Sequence, residues 1–236
     1  MIPISDNNPT HHFPIITLAI ITLSVAVFLW QLSLGPTGQQ AVALSLGTVP
    51  SVLFGSKQLP PELQILPAEA TLITSMFLHG SWMHLIGNML YLWIFGNNIE
   101  DAMGHKRFVL FYLLSGVLAA LAFALPNIDS TIPMIGASGA ISGVLGAYLI
   151  LYPRAKILVL IPLGFFLTHM RLSAIWVLGF WIILQVINSL ITPSTGGGVA
   201  WGAHLGGFVA GMLLIPFFKY RSVPYFSHGN HGKPRD

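Results

Sequence analysis

Between Asp6 and Lys57 the chain carries no Asp, Glu, Lys or Arg, and residues 70–99, 108–128, 130–153 and 172–218 are equally bare of charge. Only 7% of its 236 residues are charged, against 54% hydrophobic, and the mean hydropathy is +0.77. A soluble domain carries about 25% charged residues, so this chain lacks the charge to cover a water-facing surface. It equally lacks the basic patch that a nucleic-acid partner would require. Without cysteine it can form no disulfide, thiol nucleophile or Cys-ligated metal site. A helix needs about 20 apolar residues to cross a bilayer, so the bare stretches predict an all-α, multi-pass protein with the lipid bilayer as its solvent.

Six spans fit: 14–34, the stretch between Glu69 and Glu100, 108–125, 135–152, 172–191 and 199–218. Residues 35–71 hold Pro36, Pro50, Pro60, Pro61 and Pro67, which forbid one continuous helix; their apolar content suits a structured loop partly sunk in the interface. Residues 157–170 are apolar but too short to span and contain Pro162, so they read as a re-entrant or interfacial element. Charge supports the count. With six spans, Lys106, Arg107, Arg154, Lys156, Arg171, Lys219, Arg221, Lys233 and Arg235 share one side and Lys57 stands alone on the other. Basic residues stay in the cytoplasm, which places both termini there. The expected organisation is a short cytoplasmic segment (1–13), one six-span domain (14–218) and a basic, disordered tail (219–236).

A polar side chain inside a span is costly and by default marks function. His84 and Asn88 fall in the outer half of the second span, Ser138 near the outer end of the fourth and His204 at similar depth in the sixth. Three helices thus bring four polar groups to one level. Serine becomes a nucleophile when a base takes its proton, and histidine is the usual base. His84 and Asn88, four residues apart on one helical face, could donate to a developing oxyanion beside the backbone N–H near Ser138, at Gly139. Gly139 and Gly143 on one span, Gly207 and Gly211 on the other, form small-residue faces that let the backbones close up. No acidic residue lies at this depth, so a Ser-His dyad is expected, with Asp129 in an outer loop a weak third member. His79 reads as a loop anchor, Glu100 with Arg107 as an ion pair, and His228 with His231 as tail histidines holding no specific metal.

The motifs His79-x4-His84-x3-Asn88, Gly96-x3-Glu100-x3-Gly104, Gly136-x-Ser138-Gly139 and Ala203-His204 with Gly207-x3-Gly211 resemble those of rhomboid intramembrane serine proteases of the six-span bacterial type. That resemblance implies Ser138 as nucleophile, His204 as base and acid, and His84 with Asn88 as oxyanion hole. It also implies a multi-pass protein of the cell (inner) membrane that cleaves single-pass membrane proteins near the outer end of their transmembrane helix, without metal, ATP or other cofactor. The fifth span and residues 192–198 after it would gate substrate entry. Two positions depart from the pattern: Ala70 and Thr71 replace a Trp-Arg pair, and Ser142 replaces an aromatic that stacks on the histidine. A homo-oligomer is allowed but nothing requires it. The competing readings are an inactive relative that binds membrane clients, and a small transporter or proton channel; the latter would need polar groups through both leaflets, and here they lie on one side.

Overall fold

The computed structural model describes residues 1–163, 166–191 and 199–227. Seven main helices form in chain order. They are α1 (Ile15–Ser33), α2 (Gly35–Leu46), α3, α4 (His105–Ala124), α5 (Ser138–Leu151), α6 (Ala174–Ile191) and α7 (Trp201–Phe218). Helix α3 is built of Trp82–Tyr91, a π-turn Leu92–Gly96 and Asn97–Met103 without a break. Among the described residues four helices, starting at Ile15, His105, Ala174 and Trp201, are long and apolar enough to cross a membrane. The protein is a membrane protein.

Helix α5 has 14 residues, about 21 Å at 1.5 Å per residue, short for a span. It sits at the centre of the bundle: of its residues only Ser138, Leu149 and Ile150 are not buried. Glycine makes that position available. A Cβ on Gly207 would run into the carbonyl of Gly139, and one on Gly211 would lie 2.6 Å from the Gly143 Cα. Helices α5 and α7 therefore touch backbone to backbone, the close approach expected of small-residue faces in a membrane.

The motif Gly96-x3-Glu100-x3-Gly104 holds α1. A Cβ on Gly96 would meet the Thr17 side chain at 3.2 Å, and Gly104, at φ +80°, makes the turn between α3 and α4 that side chains rarely adopt. Helix α1 has no side-chain cap of its own. Its free amides are met by Glu100, buried at 1% exposure, whose carboxylate accepts from Ile16 N–H (2.9 Å), Thr17 N–H (2.8 Å) and Thr17 Oγ1 (2.7 Å). The expected Glu100–Arg107 ion pair does not form. Glu100 instead takes His105 Nδ1 at 2.6 Å, while Arg107 donates to the Phe218 carbonyl at 3.3 Å.

The all-α expectation is corrected by a three-stranded antiparallel sheet ordered β1-β2-β3: β1 (Ile2–Asp6), β2 (Lys156–Leu163) and β3 (Phe166–Ser173). The described residues of 157–170, read from sequence as a re-entrant or interfacial element, lie in the paired strands β2 and β3, with Ile157 opposite Leu172 and Val159 opposite Met170. Ile157 and Val159 are fully buried. The N-terminal segment supplies the third strand, Ile2 opposite Leu160 and Asp6 opposite Ile157. Period-two alternation was hard to see in β2 because both faces are apolar, and such runs cannot be told from helix by pattern alone. The tail expected to be disordered is packed over its first part: Tyr220 N–H bonds Ala102 O, and Ser227 N–H bonds Leu151 O. Residues 228–236, with both tail histidines, lie outside the described residues.

Candidate active site

Helices α3, α5 and α7 all begin at one end of the bundle, and α6 finishes there. Ser138 is the first residue of α5, His204 the fourth of α7 and His84 the third of α3. The dipoles of three helix starts give that end a partial positive charge, although the His84 N–H is capped by Ser81 Oγ and those of Ala203 and His204 reach the Ala200 carbonyl. In α5 the first ladder bond runs from Ile141 N–H to Ala137 O, so the N–H groups of Ser138, Gly139 and Ala140 precede it.

A cavity of about 1290 Å³ opens between these helices, lined by Ser138, His204, His84 and Asn88, and by Gly136 and Gly139. The four polar residues chosen from sequence are thus brought together. The Ser138 Oγ lies 2.8 Å from His204 Nε2. Asn88 is buried, and its Nδ2 finds no hydrogen-bond partner among the described residues. Gly136, at φ +124°, lies against both side chains: a Cβ there would be 2.7 Å from His84 Nε2 and 3.7 Å from Asn88 Nδ2. His79 does not reach the cavity lining. It is buried, its N–H donates to Gln31 Oε1 of α1 at 3.1 Å, and its ring packs edge-on against His84 at 5.2 Å. The bond to α1 is made by its backbone, the ring backs His84, and neither ring nitrogen has a hydrogen-bond partner among the described residues.

Asp129 stays exposed in the connection before α5 and does not line the cavity. The third group is instead an amide that the reading of the sequence passed over. Gln185 of α6, 6% exposed, places Oε1 2.8 Å from His204 Nδ1. Its Nε2 donates to the Trp181 carbonyl at 3.2 Å, which fixes which end of the amide faces the histidine. The aromatic absent at Ser142 is likewise supplied by α6: the Trp181 ring lies 5.9 Å from the His204 ring, tilted 32°, with Trp201 edge-on at 6.0 Å. Ser142 itself donates to the Ser138 carbonyl at 2.6 Å. The signal for Gln185 was present, an amide inside an apolar span, and the rule that singled out Asn88 applies to it equally. Among the described residues no group of three His, Asp or Glu could hold a metal ion.

Chemically, Nδ1–H donating to Gln185 leaves Nε2 with a free lone pair facing a serine hydroxyl. That is the tautomer in which an imidazole can accept the serine proton.

Residues 68–221 match the model of the Rhomboid domain. The chain is 30% identical over 206 residues to the mitochondrial Rhomboid protein 1 of Saccharomyces cerevisiae, covering 83% of this chain and 51% of that protein. To the rhomboid protease GluP of Bacillus subtilis it is 29% identical, covering 85% of this chain and 34% of GluP. To Rhomboid-like protease 5 of Toxoplasma gondii it is 33% identical, over 65% of this chain and 16% of that one. The chain therefore spans about half or less of the length of these relatives. It belongs to the rhomboid family.

Proposed function

We propose that this protein is an intramembrane serine protease that cuts single-pass membrane proteins in or near the outer end of a transmembrane segment. The observation that carries the reading is the line Ser138 Oγ, His204 Nε2, His204 Nδ1, Gln185 Oε1, with both contacts at 2.8 Å, at the edge of a cavity inside an apolar bundle. His204 takes the Ser138 proton as Oγ attacks the scissile carbonyl carbon. The oxyanion that forms is met by Asn88 Nδ2, His84 and the N–H of Gly139. His204 then passes its proton to the leaving amine as the C–N bond breaks, and water admitted to the cavity hydrolyses the acyl-enzyme by the reverse relay. None of these steps calls for a metal or nucleotide.

Six crossings with both termini in the cytoplasm suit this chemistry. They bring Ser138, His204, His84 and Asn88 to the outer leaflet and leave nine cations inside, the arrangement expected of a cell inner membrane protein. The small residues around Ser138 suit a substrate backbone that must come close.

Cleavage of a labelled transmembrane substrate in liposomes tests the reading. Ser138→Ala and His204→Ala should each lose turnover while the variants still fold, and Asn88→Ala should lower kcat by ~10²–10³-fold. Turnover by Ser138→Ala equal to wild type would remove Ser138 as nucleophile.

A further inference from the structure

Resting on the protease reading of this site, we propose that Gln185 is the positioning residue of a Ser-His-Gln relay, holding His204 in its working tautomer and tying the base to helix α6. A histidine used as base must present a lone pair to the serine, so its other nitrogen needs an acceptor. In a dyad nothing supplies one. Here Gln185 Oε1 does so at 2.8 Å, and the amide cannot turn over without losing its own bond to the Trp181 carbonyl at 3.2 Å. A turned amide would also point its two N–H donors at Nδ1 and favour the tautomer that protonates Nε2, which cannot accept from Ser138.

The burial pattern of α6 makes the same residue a fastening. The buried residues of this helix are Ala174, Val177, Leu178 and Gln185. The first three sit in its opening turns, so along the half that borders the site the sole buried side chain is the one bonded to His204. Trp181 and His204 face each other one turn before it. When the end of α6 lies against α7, the base is set.

Three variants measured with the same transmembrane substrate, and with a fluorophosphonate as a probe of serine nucleophilicity, test this. Gln185→Leu keeps the volume and removes the acceptor. It should lower kcat and the labelling rate of Ser138 by about 10- to 100-fold with KM unchanged; the effect stays below the ~10⁴-fold seen when a charged orienting group is replaced because a neutral acceptor makes the weaker bond. Gln185→Glu keeps an acceptor at the same reach and should restore most of kcat. Its carboxylate also favours the imidazolium, so the acid limb of the rate profile should move to higher pH relative to wild type. Gln185→Lys, which presents only donors, should be as slow as Gln185→Leu or slower. Equal kcat in wild type and Gln185→Leu would overturn the proposal, as would equal losses in Gln185→Leu and Gln185→Glu with an unmoved pH profile, since that marks a merely structural residue. Failure of the underlying reading looks different: wild type would then neither cleave nor be labelled at Ser138. A Gln185→Leu variant that does not fold leaves the decision to the Glu and Lys pair, whose opposite hydrogen-bonding character should separate their rates.

Discussion

Glu100 shows how one buried carboxylate can fasten two helices. It receives three bonds from the start of α1 and one from His105, replacing the cap that Pro14 cannot provide. Charge-assisted bonds to helix-start amides are among the stronger ones available to a side chain. Glu100→Ala should therefore lower stability on the order of 3 kcal/mol, because the amides of Ile16 and Thr17 lose their acceptor inside the bundle. Thermal unfolding in detergent reads this directly; a variant as stable as wild type would show that α1 is held some other way. Glu100→Gln should lose less, since the amide oxygen still accepts. From the sequence Glu100 could be seen as unusual, but its partner could not: a cap contributed from 84 residues away leaves no local pattern, whereas an Arg seven residues on looks like the obvious mate.

The sheet is the element where sequence and structure part most. Its central strand is apolar on both faces and its third strand comes from the N-terminus, so neither a period nor a neighbouring hairpin announced it. The four helices long and apolar enough to cross a membrane, by contrast, are legible because charge is so scarce. The four polar groups are legible because intramembrane polarity is expensive. Gln185 obeys the same logic and was hidden only by the assumption that a third member must be acidic. The sheet also carries a titratable contact. Asp6, at the end of β1, accepts from Tyr148 Oη at 2.6 Å, ten residues along the helix that begins at Ser138. Burial raises the Asp6 carboxyl from 3.8 to about 6, outweighing the Tyr148 hydrogen bond and the backbone bonds that pull it down. A carboxyl raised in the folded state binds more protons there than in the unfolded chain. Its stabilising contribution is therefore complete below about pH 4 and is lost as pH rises through about 6. Thermal melts should show stability falling across that window in the wild type and a flatter course in Asp6→Asn. Identical pH profiles for the two would remove Asp6 as the source.

The molecule as a whole has two unlike ends. One closes on the strands, the Glu100 cap and the packed 219–227 segment. The other opens into the cavity, where the starts of α3, α5 and α7 converge and Asn88 presents an amide with no partner among the described residues. Rigid glycine contacts between α5 and α7 fix the distance from Ser138 to His204, while α6 holds the histidine's far side through the Gln185 amide and the Trp181 ring. Rigidity on one flank and lighter fastening on the other are what the proposed cleavage of a transmembrane helix would call for. In the proposed protease Ser138 is nucleophilic because His204 makes it so. Covalent labelling by a fluorophosphonate in membranes reads that claim at the atom concerned. Wild type should take up one equivalent on Ser138, with labelling absent in Ser138→Ala and in His204→Ala. Labelling of His204→Ala at the wild-type rate, or none of the folded wild type, would contradict it.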